Sequence, residues 1–125
     1  MPNPQQRAMV DWLAARTRSY DFAVVFGSYA RGEAYRSSDF DVLLIDSRFS
    51  GWSTQAESLF PDWPEEFQDL HVVTTSHEEF RERYCDDDPM VAAIARDGFD
   101  IHAPFGFLDY VESIDCDAVH SGSAG

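Results

Sequence analysis

The chain contains no lysine, and all nine of its basic residues are arginine. These are outnumbered by 23 acidic residues, so the net charge is −14. Proteins that bind a nucleic-acid backbone depend on clustered lysine and arginine, which argues against a partner that is a DNA or RNA duplex. Dispersed acid without lysine resembles the proteins of salt-in halophiles, whose charged surfaces stay soluble in strong salt. The composition therefore predicts a halophile protein, or else an acidic protein with a basic partner.

Long apolar segments and cysteines are scarce as well. No apolar run approaches the roughly 18 residues of a membrane span, and the N-terminus has no signal-peptide pattern. We therefore expect a cytoplasmic protein with no membrane partner. The two cysteines, Cys85 and Cys116, match no metal or redox spacing, and in a cytosolic chain we expect them to be reduced thiols.

A length of 125 residues with 44% hydrophobic residues indicates one domain with a modest core. We place that domain at residues 1–116 and expect the small, polar segment 117–125 to be a disordered tail. Apolar periodicity and turn residues predict the elements in between. The predicted helices cover residues 5–18, 54–60, 76–84, 90–96 and 105–114, and the predicted strands cover residues 21–26, 40–45, 67–75 and 99–102.

The most informative stretch is residues 24–46, VVFGSYARGEAYRSSDFDVLLID. A buried strand ends at Gly27-Ser28, and a second one starts with acids at Asp39 and Asp41. Strand side chains alternate, so the two carboxylates share one face about 7 Å apart. Asp41 lies within an otherwise apolar run, where an unpaired acid is costly. A Mg²⁺ ion would neutralise the pair, and Gly27-Ser28 offers N–H groups and a hydroxyl to a phosphate.

Gly27-Ser28, ten further residues and then Asp39-Phe40-Asp41 resemble the GSx10DxD signature of the DNA polymerase β-like nucleotidyltransferases, and Arg31-Gly32 strengthens the match. The short chain is similar to the minimal nucleotidyltransferases, many of which are encoded beside a HEPN-domain toxin. This resemblance implies an α+β (two-layer α/β) nucleotidyltransferase fold, with a small mixed β-sheet and helices packed mainly on one face.

The resemblance also implies roles for individual residues. Gly27, Ser28 and Arg31 would bind the nucleotide, while Asp39 and Asp41 would be catalytic and hold one or two Mg²⁺ ions.

The family usually supplies a third acid from the strand after DxD, but here His71 stands at that position. Asp69 lies two residues earlier on the same face. Three alternatives stay open: Asp69 completes the catalytic and metal-binding group, His71 takes that catalytic role, or the third group is missing.

By resemblance, the chain would transfer AMP from ATP to a hydroxyl of a HEPN partner and so act as its antitoxin. Two alternatives compete with this protein adenylyltransferase. One is a catalytically weak or inactive module that neutralises its partner by binding, and the other is a small-molecule nucleotidyltransferase of the antibiotic-modifying type. An oligomer is compatible with each of them.

Overall fold

The computed structural model describes residues 4–33 and 39–123, and a single mixed β-sheet lies at the centre of this part of the chain. Its strands are β1 (Phe22–Phe26), β2 (Phe40–Ile45), β3 (Trp52–Ser53), β4 (Leu70–Thr75) and β5 (Phe99–Asp100). Their order in the sheet is β3-β4-β2-β1-β5. The central pair β2 and β4 is parallel, and the other neighbours are antiparallel.

Helices cover both faces of this sheet. They are α1 (Pro4–Arg16), α2 (Gly27–Ala30), α3 (His77–Cys85), α4 (Pro89–Asp97), α5 (Pro104–Glu112) and α6 (Cys116–Ser123), with a short 3-10 helix at Ala56–Leu59. The buried side chains of α3, α4 and α5 pack on one face, and those of α1 pack on the other. The predicted α+β fold with a mixed sheet is therefore confirmed.

Strand β2 is the most deeply buried element, as its apolar run predicts. Phe40, Val42 and Leu44 pack into the core on the α1 side. Leu43 and Ile45 pack into the core formed with α3, α4 and α5. All five side chains are fully buried, so the backbone that carries the acids at the start of β2 is held from both faces.

The end of α4 is pressed against β1 at Gly98. A Cβ on this glycine would lie 2.6 Å from the Ile94 carbonyl oxygen and 2.8 Å from Val24 Cγ1, both shorter than normal contacts. We expect Gly98→Ala to lower the free energy of unfolding by about 2 kcal/mol, since the backbone must move to relieve the overlap. Urea unfolding would measure the change.

Gly106→Ala is the matched control for this prediction. Gly106 lies within α5, and the nearest atom to its added Cβ would be 3.4 Å away. Alanine is favoured over glycine inside a helix by roughly 1 kcal/mol, so this variant should be neutral or more stable. Equal behaviour of the two variants would contradict the packing described for Gly98.

The expectation of reduced thiols is wrong in this structure, because Cys85 and Cys116 form a disulfide. The two residues are 31 positions apart in sequence, but the end of α3 and the start of α6 are neighbours in space. Sequence spacing alone contains no information on that proximity. Helix α6 itself lies in the segment where the sequence predicts a disordered tail, and strand β3 was not predicted either.

In the described part of the chain, no helix has the length and apolar character needed to cross a membrane.

Candidate active site

At the turn between β1 and α2, the backbone of Gly27 is in close contact with the carboxylate of Asp41. Gly27 has a φ of +75°, a conformation that L side chains rarely adopt. A Cβ built on Gly27 would also overlap the Oδ2 atom of Asp41. Both observations require glycine at this position, and they place the Asp41 carboxylate directly against the turn. Ser28 follows as the second residue of α2.

Helix α2 is anchored to the start of β2 by an aromatic contact. The ring of Tyr29 packs edge-on against that of Phe40, with 4.9 Å between centroids. The turn is closed by hydrogen bonds from the Arg31 amide to the Gly27 carbonyl and from the Glu33 amide to the Ser28 carbonyl. This packing fixes the predicted nucleotide-binding residues relative to β2.

The two predicted acids lie at the start of β2. Asp41 is within the strand, opposite Phe26 of β1 and His71 of β4. Asp39 directly precedes the strand and is exposed. Its carbonyl accepts a hydrogen bond from the side chain of Gln6 at 3.4 Å, and Gln6 is fully buried on α1. Helix α1 therefore supports the backbone next to the acids.

The surroundings of Asp41 disfavour its charge. Partial burial raises the pKa of the Asp41 carboxyl, and the negative charge of Asp39 raises it further. The charges of His71 and Arg31 act in the opposite direction and are outweighed. A cation bound beside the Asp41 carboxylate would favour its charged form.

His71 and Asp69 are placed differently around the acids. His71 lies directly across from Asp41 in the parallel register, and its Nδ1 is 3.9 Å from Asp41 Oδ1. Asp69 precedes β4 instead of lying within it, and its carbonyl accepts the amide of Phe40 at 2.9 Å. The backbone of Asp69 is thus tied to β2, and the side chain of His71 lies beside Asp41.

The carboxylate oxygens of Asp39 and Asp41 are ligands of the kind that Mg²⁺ favours. Within residues 4–33 and 39–123, no three side chains of the His, Cys, Asp and Glu types are grouped so as to hold a metal ion. Magnesium, however, is commonly held by one or two carboxylates together with substrate phosphates. Asp39 and Asp41 supply two carboxylates, and burial together with the charge of Asp39 raises the pKa of Asp41. The residues present therefore fit the ion that the resemblance implies.

Two cavities occur elsewhere in the described structure. One, of about 520 Å³, lies between α3, α5 and α6. The other, of about 410 Å³, lies near the start of α3. Neither is lined by any of the seven predicted site residues, so the chemistry of the side chains, and not the depth of a cavity, identifies the candidate site.

Comparison with family models decides the assignment. Residues 14–95, well over half of the chain, match the model of the nucleotidyltransferase domain. The chain belongs to the nucleotidyltransferase domain family. Comparisons with curated proteins and with solved structures give no significant match. The match includes β1, α2, β2 and β4, and so spans every predicted site residue of this nucleotidyltransferase.

Sequence reasoning missed residues that support the site. The helical pattern of residues 5–18 includes Gln6, but nothing in that pattern shows that its side-chain amide reaches the Asp39 carbonyl. Tyr29 lies inside the motif, and its aromatic character was the available signal for an anchor. The end of α4 carries no such signal, because its position relative to the turn depends on how β5 pairs with β1. Helix α1 thus supports the candidate site in addition to the motif.

Proposed function

We propose that this nucleotidyltransferase transfers AMP from ATP, in the presence of Mg²⁺, to a hydroxyl group of a partner protein. The observation that carries this proposal is the contact between Asp41 and Gly27, with Asp39 nearby. It places the Asp41 carboxylate directly against the turn, and the Asp39 carboxylate is close enough for its charge to raise the pKa of Asp41. Such an arrangement suits a triphosphate bound through a divalent cation.

Each residue has a role in the proposed reaction. Gly27, Ser28 and Arg31 bind the phosphates of the nucleotide, and Asp39 and Asp41 provide the carboxylates for magnesium. When bound there, Mg²⁺ would hold the triphosphate in place and neutralise the charge that develops on the leaving pyrophosphate.

In the transfer step, the oxygen of the acceptor hydroxyl forms a bond to the α-phosphorus. The bond from that phosphorus to the bridging oxygen of pyrophosphate breaks, and pyrophosphate leaves with the electron pair. The hydroxyl proton passes to a base on β4, and His71 is our choice because its ring faces Asp41 at 3.9 Å. A histidine can accept such a proton near neutral pH.

Comparing His71→Ala with Asp69→Ala tests the choice of base. We expect His71→Ala to slow transfer about 100-fold, which is typical of a lost general base. Asp69→Ala should have a much smaller effect, because it is the Asp69 carbonyl, which the variant keeps, that bonds to β2. Initial rates at saturating Mg·ATP would measure both. A larger loss in Asp69→Ala would assign the base to Asp69 instead.

We further propose that the acceptor is a HEPN-type toxin and that the chain acts as its antitoxin. The net charge of −14 supports an acceptor protein with exposed arginines. The site of action would be the cytoplasm, where ATP is available. Because disulfides are rare in cytosolic proteins, the redox state of Cys85 and Cys116 in cells is a direct check on that location.

The test is to incubate the protein with Mg²⁺, labelled ATP and the product of the neighbouring gene, in both dilute and molar salt. Molar salt is included because we propose a halophilic origin from the acid excess. Intact-mass analysis of the partner should show a gain of AMP units. No mass gain in either buffer, with all proteins folded, would contradict the proposal.

A second candidate function is neutralisation of the partner by binding alone. The observation in its favour is that no third acid joins Asp39 and Asp41 among the described residues. A tight complex without any change in mass would support this function over transfer.

A further inference from the structure

The end of α4 lies beside the turn that follows β1. Strand β5 pairs with β1 so that Phe99 is opposite Val25 and Asp100 is opposite Val24. The residues just before β5 therefore lie alongside the end of β1, where Gly27 begins the turn. The close approach of Gly98 to Val24 and to the Val25 carbonyl holds this segment in place.

Asp97, at the end of α4, is paired with the guanidinium group of Arg96. Arg96 contacts it with two atoms: Nε lies 3.2 Å from Oδ1 and Nη2 lies 3.0 Å from Oδ2. The hydrogen bond from Arg96 is the main cause that holds the pKa of Asp97 below its usual range, and the nearby charge of Arg31 adds to the effect. The charge of Arg31 also lowers the pKa of Asp41. Arg31 therefore lies within electrostatic range of both the acid on β2 and the acid at the end of α4.

Both arginines remain accessible to a ligand. The side chain of Arg96 is 70% exposed, and that of Arg31, which pairs with Glu33 at 3.4 Å, is 42% exposed. Guanidinium groups bind phosphate oxygens with two parallel hydrogen bonds, and they keep their charge under all ordinary conditions.

The acidic residues of this site repel a nucleotide triphosphate. The two carboxylates of Asp39 and Asp41, in a chain of net charge −14, repel the polyphosphate. A bound Mg²⁺ neutralises only part of the charge. Cationic side chains on the far side of the turn would supply the remainder.

We propose that Arg96 acts together with Arg31 to bind the phosphate groups of the nucleotide, and that Asp97 is a positioning residue that holds the Arg96 guanidinium group beside the turn. This inference rests on the proposed nucleotidyl transfer and extends the binding site to α4. The charge of the phosphates defines the ligand, so inorganic tripolyphosphate should bind at the same place as ATP.

Arg96→Gln tests the proposal through binding as well as activity. We expect the affinity for Mg·ATP and for Mg·tripolyphosphate, measured by calorimetry, to fall about tenfold, which is typical of a lost charge-assisted contact. The KM for ATP should rise by a similar factor while kcat changes little, because the contact exists before and during the reaction. The matched control is Arg18→Gln, an exposed arginine before the opposite end of β1, which should bind both ligands as the parent does.

Asp97→Asn separates a positioning role from a simple charge effect. If Asp97 acts on the bound polyphosphate only by electrostatic repulsion, removing its negative charge should strengthen binding. If Asp97 orients the guanidinium group of Arg96, binding should instead weaken by about threefold. Tighter binding of Mg·ATP by Asp97→Asn would overturn the positioning role.

The outcomes also distinguish this inference from the function it rests on. If the parent binds neither Mg·ATP nor tripolyphosphate, the proposed function and this inference both fail. If the parent binds them and transfers AMP, but Arg96→Gln binds as tightly as Arg18→Gln, only the present inference fails.

Discussion

Replacing Asp41 with asparagine is expected to reduce AMP transfer by roughly 10³-fold or more. The variant keeps the shape of the side chain but loses the charge of a proposed magnesium ligand. Metal-based charge stabilisation contributes several kcal/mol to such reactions, and each 1.36 kcal/mol corresponds to a factor of ten in rate. Initial rates at saturating Mg·ATP would measure the loss.

The same substitution should leave the metal-free protein folded and slightly more stable. The folded-state pKa of Asp41 is raised above its usual value, chiefly by burial. A raised pKa means that ionising the group is more difficult in the folded than in the unfolded protein, so above the usual carboxyl pKa its charge costs stability. Asparagine removes that cost at neutral pH. Urea unfolding without Mg²⁺ would measure the difference.

Asp109→Asn is the control for the charge change. Asp109 is an exposed acid on α5, so its substitution alters the net charge equally without touching the candidate site. This control should transfer AMP at the parent rate. If Asp41→Asn is as active as Asp109→Asn, the assignment of the site to the start of β2 is wrong.

The central part of the fold was predictable because its signals are local. A continuous apolar run predicts a buried strand, and β2 is fully buried on both faces. Alternation along a strand predicts that the carboxylates of Asp39 and Asp41 share a face, and the charge of Asp39 does raise the pKa of Asp41. Glycine at position 27 marks a turn, and its φ of +75° requires that residue.

Features that depend on contacts distant in sequence were not predictable. The Cys85–Cys116 disulfide depends on how α6 packs against α3. The placement of Asp97 beside the turn depends on the pairing of β5 with β1. In both cases the deciding partner lies far along the chain. The prediction of a strand from residue 67, by contrast, was too long because residues 67–70 form a turn closed by a hydrogen bond from the Leu70 amide to the Phe67 carbonyl.

The other large effect is expected for stability, at the far end of β2. Asp46 is 3% exposed and accepts hydrogen bonds from the amide of Asp21 and from both the amide and the side chain of Arg48. We expect Asp46→Ala to lower the free energy of unfolding by about 3 kcal/mol, since these hydrogen bonds to one buried, charged acceptor are all lost at once. Urea unfolding at pH 7 would measure the loss.

The pH dependence of this contribution has a definite sign. Hydrogen bonding from Arg48 lowers the pKa of Asp46 from 3.8 to about 2, which corresponds to about 2 kcal/mol of stability from the charged form. Because the folded pKa is depressed, this stability is fully present above the unfolded pKa near 4. It is lost as the pH falls towards 2. The difference in unfolding free energy between the parent and Asp46→Asn should therefore be constant from pH 7 to 5 and shrink below pH 4.

Comparison with Asp62→Asn isolates the effect of burial on the stability that the acid contributes. Asp62 also pairs with an arginine, Arg16, but its side chain is 54% exposed, and ion pairs in water contribute little because solvent screens them. A much smaller loss of stability is therefore expected than for Asp46→Asn. If the two variants lose the same stability at pH 7, burial does not increase the contribution of Asp46 to the free energy of unfolding. That contribution is then no larger than that of a surface ion pair.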